Sequence, residues 1–408
     1  MKVLIVNWVY NWGSTGYILR DIKNSLEHSG HQVFTACGIN RGEKCDGVFE
    51  FSSSKEMSFY RRLMRIGWPK FKGSYLGYKK LVKYINQTRP DVVHIHLLHC
   101  GCIDLYRLFE YLGKNKIKTV ITHHAELYYT GSCSYSYDCN GFIENQCLNC
   151  KSKWWATGSY LCCNPNKLWK KMHKAFSWFN PDDTISTSVS PWVKSRLEKS
   201  SITKHIPCEV VMNGIDVDIF KPTSPSLVLK ERLNNIMDNY VVYISAKFDP
   251  INKNDIKGGY YLVEVAKVLK DVNFVVVATE NINTESLPSN VFLWGKAKSQ
   301  TELAELYSNA KVTVLTSKKE TFSMICAESL CCGTPIVGFK SGGPETIALS
   351  NYSTFVDYGN IQSLAKSVKE TTSKVLDKKT ISAEAINRYS KEIMTQNYIE
   401  VYKKILSK

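Results

Sequence analysis

Two successive series of short apolar runs, with helical periodicity in several of the segments between them, constrain the fold of this chain most. The runs are Val3–Trp8, Val33–Cys37, Val92–His96, Thr119–His123, Thr184–Val189 and Glu209–Met212 in the first series, and Tyr240–Ser245, Phe274–Thr279, Val291–Trp294, Val312–Thr316 and Pro335–Phe339 in the second. Continuous apolar strands that alternate with helices are typical of parallel sheets covered on both faces. The pattern therefore predicts an α/β protein with two doubly wound domains.

The length of the chain supports two domains. A chain of 408 residues exceeds one ordinary core and suits two domains of about 200 residues each. The turn-rich segment Lys221–Ser226 separates the two series, so we predict a hinge near Asn213–Pro225. The predicted domains are residues 1–220 and 221–385, with a C-terminal helix over residues 386–408 that packs back on the first domain.

The composition favours a folded protein with an anionic partner. Apolar residues make up 44% of the chain and charged residues 22%, and no run approaches the roughly 20 apolar residues that span a bilayer. The N-terminus turns polar too quickly for a signal peptide and reads as a buried strand, so we expect a cytoplasmic protein. The formal charge of +16 indicates nucleic acid, a phosphorylated ligand or an anionic membrane as partner.

Ligands of open parallel sheets bind beyond the carboxyl ends of the strands. After Val312–Thr316 the chain reads "SKKETFSMICAESLCCGTP", which places Glu320 on a loop and predicts a helix from Ser323 to about Cys332. The unpaired N–H groups of the first turn of such a helix favour an anion such as a diphosphate. Glu328, eight residues after Glu320, lies one to two turns into the helix.

The carboxylates of Glu320 and Glu328 can bind the two ends of one ligand. Glu328 can accept hydrogen bonds from a ribose diol, and Glu320 can accept them from the hydroxyls of a second sugar. A diphosphate between two polyols is a nucleotide-sugar. The alternative is that two glutamates at this spacing simply form a solvated helix face.

A family resemblance rests on several stretches together. They are "KKETFSMICAESLCCGTPIVGFKSGGPETI" (318–347), "VMNGIDVDIFKP" (211–222) and "LAELYSNAKVTVLTS" (303–317). They resemble the family 4 retaining glycosyltransferases and their Glu-x7-Glu signature. The resemblance implies the GT-B fold, with two Rossmann-like domains facing across a cleft, and transfer of a sugar from a UDP- or GDP-sugar to a hydroxyl group.

The resemblance also implies roles for individual residues. Glu328 would bind the ribose, Glu320 would hold the donor sugar near the reacting centre, and the backbone of Phe322, Ser323 and Met324 would face the donor. Many relatives have glycine where Thr321 or Ser323 stands. A side chain at these positions narrows the donor pocket, so the resemblance leaves the identity of the donor open.

The family binds the diphosphate with an arginine and a lysine after the first strand of the second domain. Lys257, before Gly258 and Gly259, matches the lysine, and Lys247 stands where the arginine is often found, with Lys253 as a substitute. A lysine carries a point charge and cannot make the paired hydrogen bonds that arginine makes with a phosphate. It can still offset the charge of a leaving diphosphate. No Asp-x-Asp motif stands in a suitable place, so we expect no catalytic metal. The alternative for these lysines is a solvated loop.

In the first domain, the loop after the first strand carries Gly13, Ser14, Thr15 and Gly16 at a predicted helix start, which can face phosphate. It does not match G-x-G-x-x-G, and it is alternatively a plain strand-to-helix turn.

Histidines follow two strands of this domain. Alignment of "THHAELYYTG" with the family on Thr130-Gly131 implies that His124 hydrogen-bonds the transferred sugar, although histidines are often purely structural. On the neighbouring strand, we expect His96 to face the cleft and His94 to lie in the core.

A cysteine-bearing insertion over residues 131–163 follows these histidines. Cys133, Cys139, Cys147 and Cys150 are spaced C-x5-C-x7-C-x2-C, and four thiolates suffice for a closed zinc site. Two disulfides and free buried thiols are the alternatives, and Cys162 and Cys163 are spare ligands. The insertion resembles one in transferases of colanic-acid, exopolysaccharide or O-antigen biosynthesis.

Residues 55–89 contain ten Lys/Arg and one Glu among several aromatic residues, and residues 166–179 repeat this composition. Such segments suit an anionic membrane, where a polyprenyl-linked glycan acceptor would lie, and a solvated basic face is the alternative. No recognition motif supports a nucleic-acid partner. Three other functions stay open: a sugar-nucleotide epimerase on the same fold, a non-catalytic nucleotide-sugar-binding subunit, and a zinc-dependent nucleic-acid-binding protein.

Overall fold

The chain folds into two compact units, as seen in a computed structural model that describes residues 1–41, 45–136, 139–161, 164–237 and 239–408. Unit 1 comprises Met1–Met212 together with Met394–Lys408, and unit 2 comprises Asn213–Ile393. The last helix of the chain thus belongs for most of its length to unit 1. None of the helices in the described part of the chain is long and apolar enough to cross a membrane.

Unit 1 is built on a parallel sheet with strand order β3-β2-β1-β4-β5-β6-β7 in the described residues. Its strands are β1 (Lys2–Tyr10), β2 (Gln32–Asn40), β3 (Val48–Glu50), β4 (Val92–Ile95), β5 (Thr119–His123), β6 (Thr184–Ser188) and β7 (Cys208–Val210). Its helices are α1 (Gly13–His28), α2 (Ser54–Arg65), α3 (Tyr75–Thr88), α4 (Leu105–Lys114), α5 (Leu127–Thr130), α6 (Gly141–Glu144), α7 (Lys153–Thr157), α8 (Pro165–Phe176) and α9 (Pro191–Lys199).

The sheet of unit 1 is buried because its central strands carry apolar side chains on both faces. The side chains of β1 from Val3 to Val6 are fully buried between β2 and β4. Helix α1 covers the sheet with Ile18, Leu19, Ile22 and Leu26 at helical spacing. Every strand pair is parallel, which is the arrangement that strand–helix alternation predicts.

Unit 2 repeats this arrangement with strand order β10-β9-β8-β11-β12-β13 among the described residues. Its strands are β8 (Tyr240–Phe248), β9 (Asn273–Asn281), β10 (Val291–Gly295), β11 (Val312–Leu315), β12 (Ile336–Phe339) and β13 (Ser353–Val356). Its helices are α10 (Leu227–Leu233), α11 (Gly259–Val268), α12 (Gln300–Asn309), α13 (Met324–Cys331), α14 (Pro344–Ile347), α15 (Ile361–Thr372) and α16 (Lys378–Tyr389), with 3₁₀ turns at Asn234–Ile236 and Ser350–Tyr352. The terminal helix α17 (Lys391–Leu406) starts here and continues into unit 1.

The prediction of an α/β protein with two doubly wound sheets is confirmed, with differences at the sheet edges. β5 matches its predicted bounds, whereas β8 and β9 each extend further than predicted. β3 and β13 were missed. Both are short and partly exposed edge strands, so they lack the continuous apolar run that marks a central strand.

Candidate active site

Glu320 follows β11 on a loop whose backbone is tied to the loop after β12. The Glu320 N–H donates to the Ser341 carbonyl at 3.0 Å, and the Gly343 N–H donates to the Glu320 carbonyl at 2.8 Å. A Cβ atom on residue 343 would lie 2.3 Å from the Thr321 carbonyl oxygen, so only glycine permits this approach. The Gly-Gly pair of the sequence motif therefore sets the position of Glu320.

Glu345 holds the second of these loops in place. Its carboxylate accepts hydrogen bonds from the Ser341 N–H at 3.0 Å and the Gly342 N–H at 2.8 Å. The sequence analysis assigned no role to Glu345. The available signal was its position in the first turn of α14, where a carboxylate commonly reaches back to free N–H groups.

Lys257 forms an ion pair with Glu320. The Lys257 Nζ lies 2.6 Å from Glu320 Oε1, although the two residues are 63 positions apart. The Lys257 carbonyl accepts hydrogen bonds from the Tyr243 hydroxyl and from Thr316 Oγ1, both at 3.0 Å. Gly258, with φ +73°, lets the chain pass β11, because a Cβ there would lie 2.2 Å from the Thr316 carbonyl oxygen.

The Lys257–Glu320 pair places a cation at the carboxyl edge of the unit 2 sheet. Side-chain exposure is 33% for Lys257 and 18% for Glu320, so the ion pair is partly open to solvent. A partly open ammonium can turn to an anionic ligand and form a charge-assisted hydrogen bond with it.

Glu328 lies in α13, where the Tyr307 hydroxyl donates a hydrogen bond to its Oε2 at 3.1 Å. Burial raises the pKa of the Glu328 carboxyl to about 7, and the hydrogen bond from Tyr307 opposes that rise. The group therefore titrates near neutrality. A ligand that donates hydroxyl hydrogen bonds to it would favour the carboxylate form.

The first turn of α13 begins on a strained residue. Ser323 has φ +80°, in the region that favours glycine, and its Oγ accepts the Cys326 N–H at 3.3 Å. The Met324 N–H has no partner among the described residues, as expected for the first turn of a helix. Phe322 is buried, and its ring centroid lies 6.5 Å from that of Tyr389, which leaves only its backbone for a ligand.

Lys247 lies near the end of β8 with a different partner. Its Nζ is 3.6 Å from Asp249 Oδ2, and the Asp249 carboxylate also accepts the N–H groups of Ile251 and Asn252. Lys253 lies with its Nζ 6.0 Å from the Tyr260 ring centroid. Within the described residues, the structure thus brings Lys257, but not Lys247, into an ion pair with Glu320.

The glycine loop of unit 1 opens α1 directly after β1. Gly13, with φ +66°, starts the helix, and Trp12 at the N-cap position makes no side-chain cap hydrogen bond. Ser14 is exposed, while Thr15 Oγ1 lies 3.4 Å from the Asn7 side-chain nitrogen. Gly16 is buried, where a Cβ atom would come within 3.2 Å of the Asn11 nitrogen.

The histidines of β4 and β5 form a connected cluster. His96 Nδ1 lies 2.9 Å from His124 Nε2, and the two rings are stacked. His94 is buried, as expected, with its nitrogens 2.7 Å from the Tyr402 hydroxyl and from Thr122 Oγ1. The sequence analysis missed Tyr402, whose position on α17 gave no indication of this contact.

The electrostatics of this cluster favour neutral rings. Burial lowers the pKa of His124 to about 4, and burial together with nearby His124 lowers that of His123 to about 3. His96 Nε2 is buried without a hydrogen-bond partner in the described part of the chain. A neutral imidazole can donate or accept a hydrogen bond toward an uncharged sugar hydroxyl.

Cys133, Cys139, Cys147 and Cys150 are free thiols that line one small pocket of unit 1. Across the described residues, no three His, Cys, Asp or Glu side chains stand close enough, as placed, to hold a metal ion. Cys162 and Cys163 lie outside the described residues.

Comparison with known families identifies the chain. A family model described as Glycosyltransferase Family 4 matches residues 16–219, which is half of the chain, and one described as Glycosyl transferases group 1 matches residues 257–392. This chain belongs to glycosyltransferase family 4. Both descriptions name glycosyltransferases, so the expectation of a glycosyltransferase is confirmed at the level of the family.

Curated relatives of this family 4 chain match over a limited segment. The D-inositol 3-phosphate glycosyltransferase of Thermomonospora curvata is 27% identical over 157 residues, which is 34% of this chain and 36% of that protein. The protein of the same name from Streptosporangium roseum is 29% identical over 157 residues, 34% of this chain and 35% of that protein. The chain thus aligns with about a third of the length of these relatives.

Solved structures match the family 4 chain over its whole length. Anabaena Alr3699/HepE in complex with UDP aligns with a TM-score of 0.65 and 16% identity, covering 99% of this chain and 100% of that one. The sucrose-phosphate synthase of Thermosynechococcus elongatus aligns with a TM-score of 0.65 and 14% identity, covering 100% and 99%. With two Rossmann-like sheets, these likenesses confirm the GT-B fold.

Proposed function

We propose that this chain transfers a sugar from a nucleotide-sugar to a hydroxyl group of a glycan acceptor, with retention of the anomeric configuration. The observation that carries the proposal is the Lys257–Glu320 ion pair at the carboxyl edge of the unit 2 sheet. Glu320 lies in the same sequence stretch as the start of α13 and Glu328, and Lys257 joins them from 63 positions away. Together they are the groups that a diphosphate between two sugars requires.

Each group has a role toward the donor. Glu328 accepts hydrogen bonds from the ribose, Lys257 and the first amides of α13 bind the diphosphate, and Glu320 positions the transferred sugar. Lys247 and the Gly13–Gly16 loop add contacts to the donor, and His124 contacts the sugar. HepE, which shares the fold, has been crystallised with UDP and with UDP-glucose, which makes a UDP-sugar the first donor to test and a GDP-sugar the second.

The reaction exchanges one bond at the anomeric carbon for another on the same face. The bond to the diphosphate oxygen breaks, the bond to the acceptor oxygen forms, and the leaving phosphate takes the acceptor proton. Negative charge grows on the departing diphosphate, and Lys257 together with the α13 amides offsets it. The chain's own groups supply this charge in our proposal, so no catalytic metal enters the step.

The proposed acceptor is a polyprenyl-linked glycan of surface polysaccharide biosynthesis, reached at the cytoplasmic face of an anionic membrane. A surface on unit 1 supports this, which we call the α2 patch: Phe59, Arg61, Arg62, Ile66, Trp154, Tyr160 and Leu161. Its apolar members are between 56% and 71% exposed. The Tyr160 N–H donates to the Arg65 carbonyl at 2.8 Å, which joins the end of α2 to the segment after α7.

The α2 patch combines the arginines and Phe59 of α2 with exposed aromatic and apolar groups of the segment around and after α7. Met57 and Met64 of α2 are buried, whereas Phe59, Arg61 and Arg62 are exposed. Aromatic side chains with adjacent cations suit the headgroup region of an anionic bilayer. The patch would hold unit 1 at the surface where a lipid-linked acceptor resides.

The transfer proposal is tested by nucleotide release and product analysis. We expect UDP release from a UDP-sugar to depend on a polyprenyl-linked glycan, and the product to keep the donor's anomeric configuration by NMR. Glu328→Ala should weaken donor binding, whereas Glu264→Ala, which removes the partner of Lys267 on α11, should not. UDP release without acceptor would indicate an epimerase or hydrolase, and donor binding without turnover on any acceptor, inositol phosphate included, would indicate a non-catalytic subunit.

The membrane proposal is tested by liposome flotation. The wild type should float with anionic vesicles, less so with neutral ones, and salt should weaken the binding. Substitution of Arg61 and Arg62 by Gln and of Trp154 by Ala should reduce flotation, whereas alanine at exposed Leu227 and Val228 of unit 2 should leave it unchanged. Equal binding to neutral and anionic vesicles at all salt concentrations would contradict the electrostatic part of the proposal.

A further inference from the structure

The loop between α5 and α8 brings four thiols to the wall of one pocket. Cys133, Cys139, Cys147 and Cys150 line a pocket of about 30 Å³ with Thr130, Ser136 and Phe142 among its other lining residues. The cysteines are spread over the loop, and each is a free thiol. A pocket of this size has room for an ion or a water molecule.

The backbone around the pocket prepares one of these sulfurs for negative charge. The Gly141 N–H donates to Cys139 Sγ at 3.4 Å, a contact that stabilises a thiolate over a thiol. The Cys147 N–H donates to the Gly141 carbonyl at 2.8 Å, which closes the loop on itself. Gln146 and Cys147 have φ of +54° and +61°, an unusual conformation for two consecutive side-chain-bearing residues.

Two cations stand next to the thiols. The buried Lys70 donates from Nζ to the Ser132 carbonyl at 2.7 Å and interacts electrostatically with Cys133. Arg196 donates to the Cys139 carbonyl at 3.3 Å. Four thiolates around one divalent cation carry a net charge of −2. Lys70 partly offsets this charge, whereas Arg196 is already paired with the Glu126 carboxylate at 3.2 Å. A buried ammonium group is unfavourable without a compensating negative charge, and neutral thiols do not supply one.

The apolar core of this segment is small. Helix α6 is a single turn, and Phe142 is its only buried residue. A polar loop with so small an apolar core is the kind of segment that a structural metal stabilises.

We infer that Cys133, Cys139, Cys147 and Cys150 bind one zinc ion in a closed tetrahedral site. Zinc is the divalent ion that four thiolates hold most commonly in this geometry. The side chains must rotate from their present positions, because no three of them are yet within metal-holding distance. On binding, four S–H bonds are replaced by four Zn–S bonds, and four protons pass to solvent, so affinity falls as the pH falls.

The site would order the segment that follows the histidine cluster. Glu126, two residues after His124, accepts the Ser136 N–H at 2.9 Å and the Arg196 Nε–H at 3.2 Å. Ser136 lies between the first two cysteines and lines the same pocket. A metal that fixes the loop therefore also fixes Glu126, and with it the start of the turn after β5.

The experiment measures metal in the full chain purified under reducing conditions without chelators. We expect about one zinc per chain by elemental analysis. A chain loaded with cobalt instead should show a thiolate-to-cobalt charge-transfer band. Cys150→Ser should lose most of the metal and melt at a lower temperature, whereas Cys208→Ser, on β7 outside the pocket, should keep both.

Three results would overturn the inference. One is wild-type protein with little zinc whose four loop thiols react freely with a thiol reagent. Another is a pair of loop disulfides found by mass spectrometry in protein that was never oxidised. The third is zinc that is lost on substitution of Cys162 and Cys163 but kept in Cys139→Ser. If Cys150→Ser does not fold, the wild-type zinc content and the cobalt spectrum still decide the question.

Discussion

The two units have sheets of the same order around their first strands but different chemistry at the strand ends. In unit 2 the carboxyl edge carries Lys257, Glu320 and Glu328, with glycines that let loops approach closely. In unit 1 the corresponding ends of β4 and β5 carry His96 and His124, paired with one another. One edge is therefore built for an anionic ligand and the other for neutral hydrogen bonding.

The two edges also differ in how they respond to pH. The Glu328 carboxyl has a pKa of about 7, raised by burial, whereas burial lowers the pKa of His124 to about 4. Near neutrality the glutamate of unit 2 titrates and the histidine of unit 1 stays uncharged. Sharing a fold thus does not make the units equivalent, because each fills its strand ends with different side chains.

The largest expected effect follows from removing the cation of unit 2. We expect Lys257→Met to lower kcat/KM about 100-fold or more, because the leaving diphosphate loses its closest side-chain cation while the buried length of the side chain is kept. Steady-state kinetics with the accepted donor measures this.

The matched control is Lys267→Met, which breaks an exposed ion pair with Glu264 on α11 and should leave kcat/KM unchanged. If Lys257→Met and Lys267→Met behaved alike, unit 2 would have no special anion site. A larger loss of kcat/KM in Lys247→Met than in Lys257→Met would indicate that Lys247, rather than Lys257, binds the diphosphate.

The next effect is a pH dependence of donor binding. In the free protein Glu328 is protonated below its pKa of about 7, and donor hydroxyls bind best to the carboxylate, so binding must release a proton there. We expect the Kd of a nucleotide-sugar to rise about tenfold per pH unit below 7 and to be flat above it. Calorimetry in buffers of different ionisation enthalpy would measure the proton release.

Glu328→Gln separates this effect from other titrations. The variant should bind the donor more weakly and without the pH dependence. It should also be more stable than the wild type at pH 8, by about 2 kcal/mol, because the folded pKa of Glu328 lies above its ordinary value, so the wild type loses stability as the pH rises from 4.5 to about 7. A pH profile that persists in Glu328→Gln would assign the titration to another group.

A smaller effect is expected in unit 1. His124→Asn should lower kcat about tenfold, the cost of one hydrogen bond to the sugar, and should leave the donor's pH profile unchanged because His124 is already neutral. Exposed His28→Asn is the control. A loss of the pH dependence in His124→Asn would place the titrating group in unit 1 and reverse the contrast between the units.

The sequence placed the candidate groups of unit 2 together more readily than those of unit 1, because the unit 2 groups are mostly contiguous in the chain. Glu320, Ser323 and Glu328 belong to one strand–loop–helix segment, so local rules place them together. The pairing of Lys257 with Glu320 depends on a close approach that Gly258 permits, and periodicity does not show such an approach. The sequence analysis missed Glu345 because this residue acts indirectly. Its carboxylate holds the loop after β12, and that loop in turn is hydrogen-bonded to Glu320.

The contacts of the histidine cluster in unit 1 join residues far apart in the sequence, so sequence patterns mostly did not predict them. His94 contacts Tyr402 across 308 positions, from a helix that returns at the end of the chain. Thr122, which hydrogen-bonds His94, also lies 3.2 Å from the Tyr398 hydroxyl. A tyrosine on a helix looks like any core residue in the sequence. Only the three-dimensional course of α17 reveals that these hydroxyls complete the histidine cluster.

The smallest expected effect concerns the backbone strain at Ser323. Ser323→Gly should stabilise unit 2 by about 1 kcal/mol, because it relieves a φ of +80° and glycine is nearly as good an N-cap as serine. Ser323→Ala should destabilise it by about 1 kcal/mol, since it keeps the strain and loses the hydrogen bond from the Cys326 N–H. Thermal unfolding of the two variants side by side measures the difference. If glycine and alanine lowered the melting temperature equally, the serine would be held by contacts that outweigh its backbone strain, and the donor edge of unit 2 would be less strained than its dihedral angles indicate.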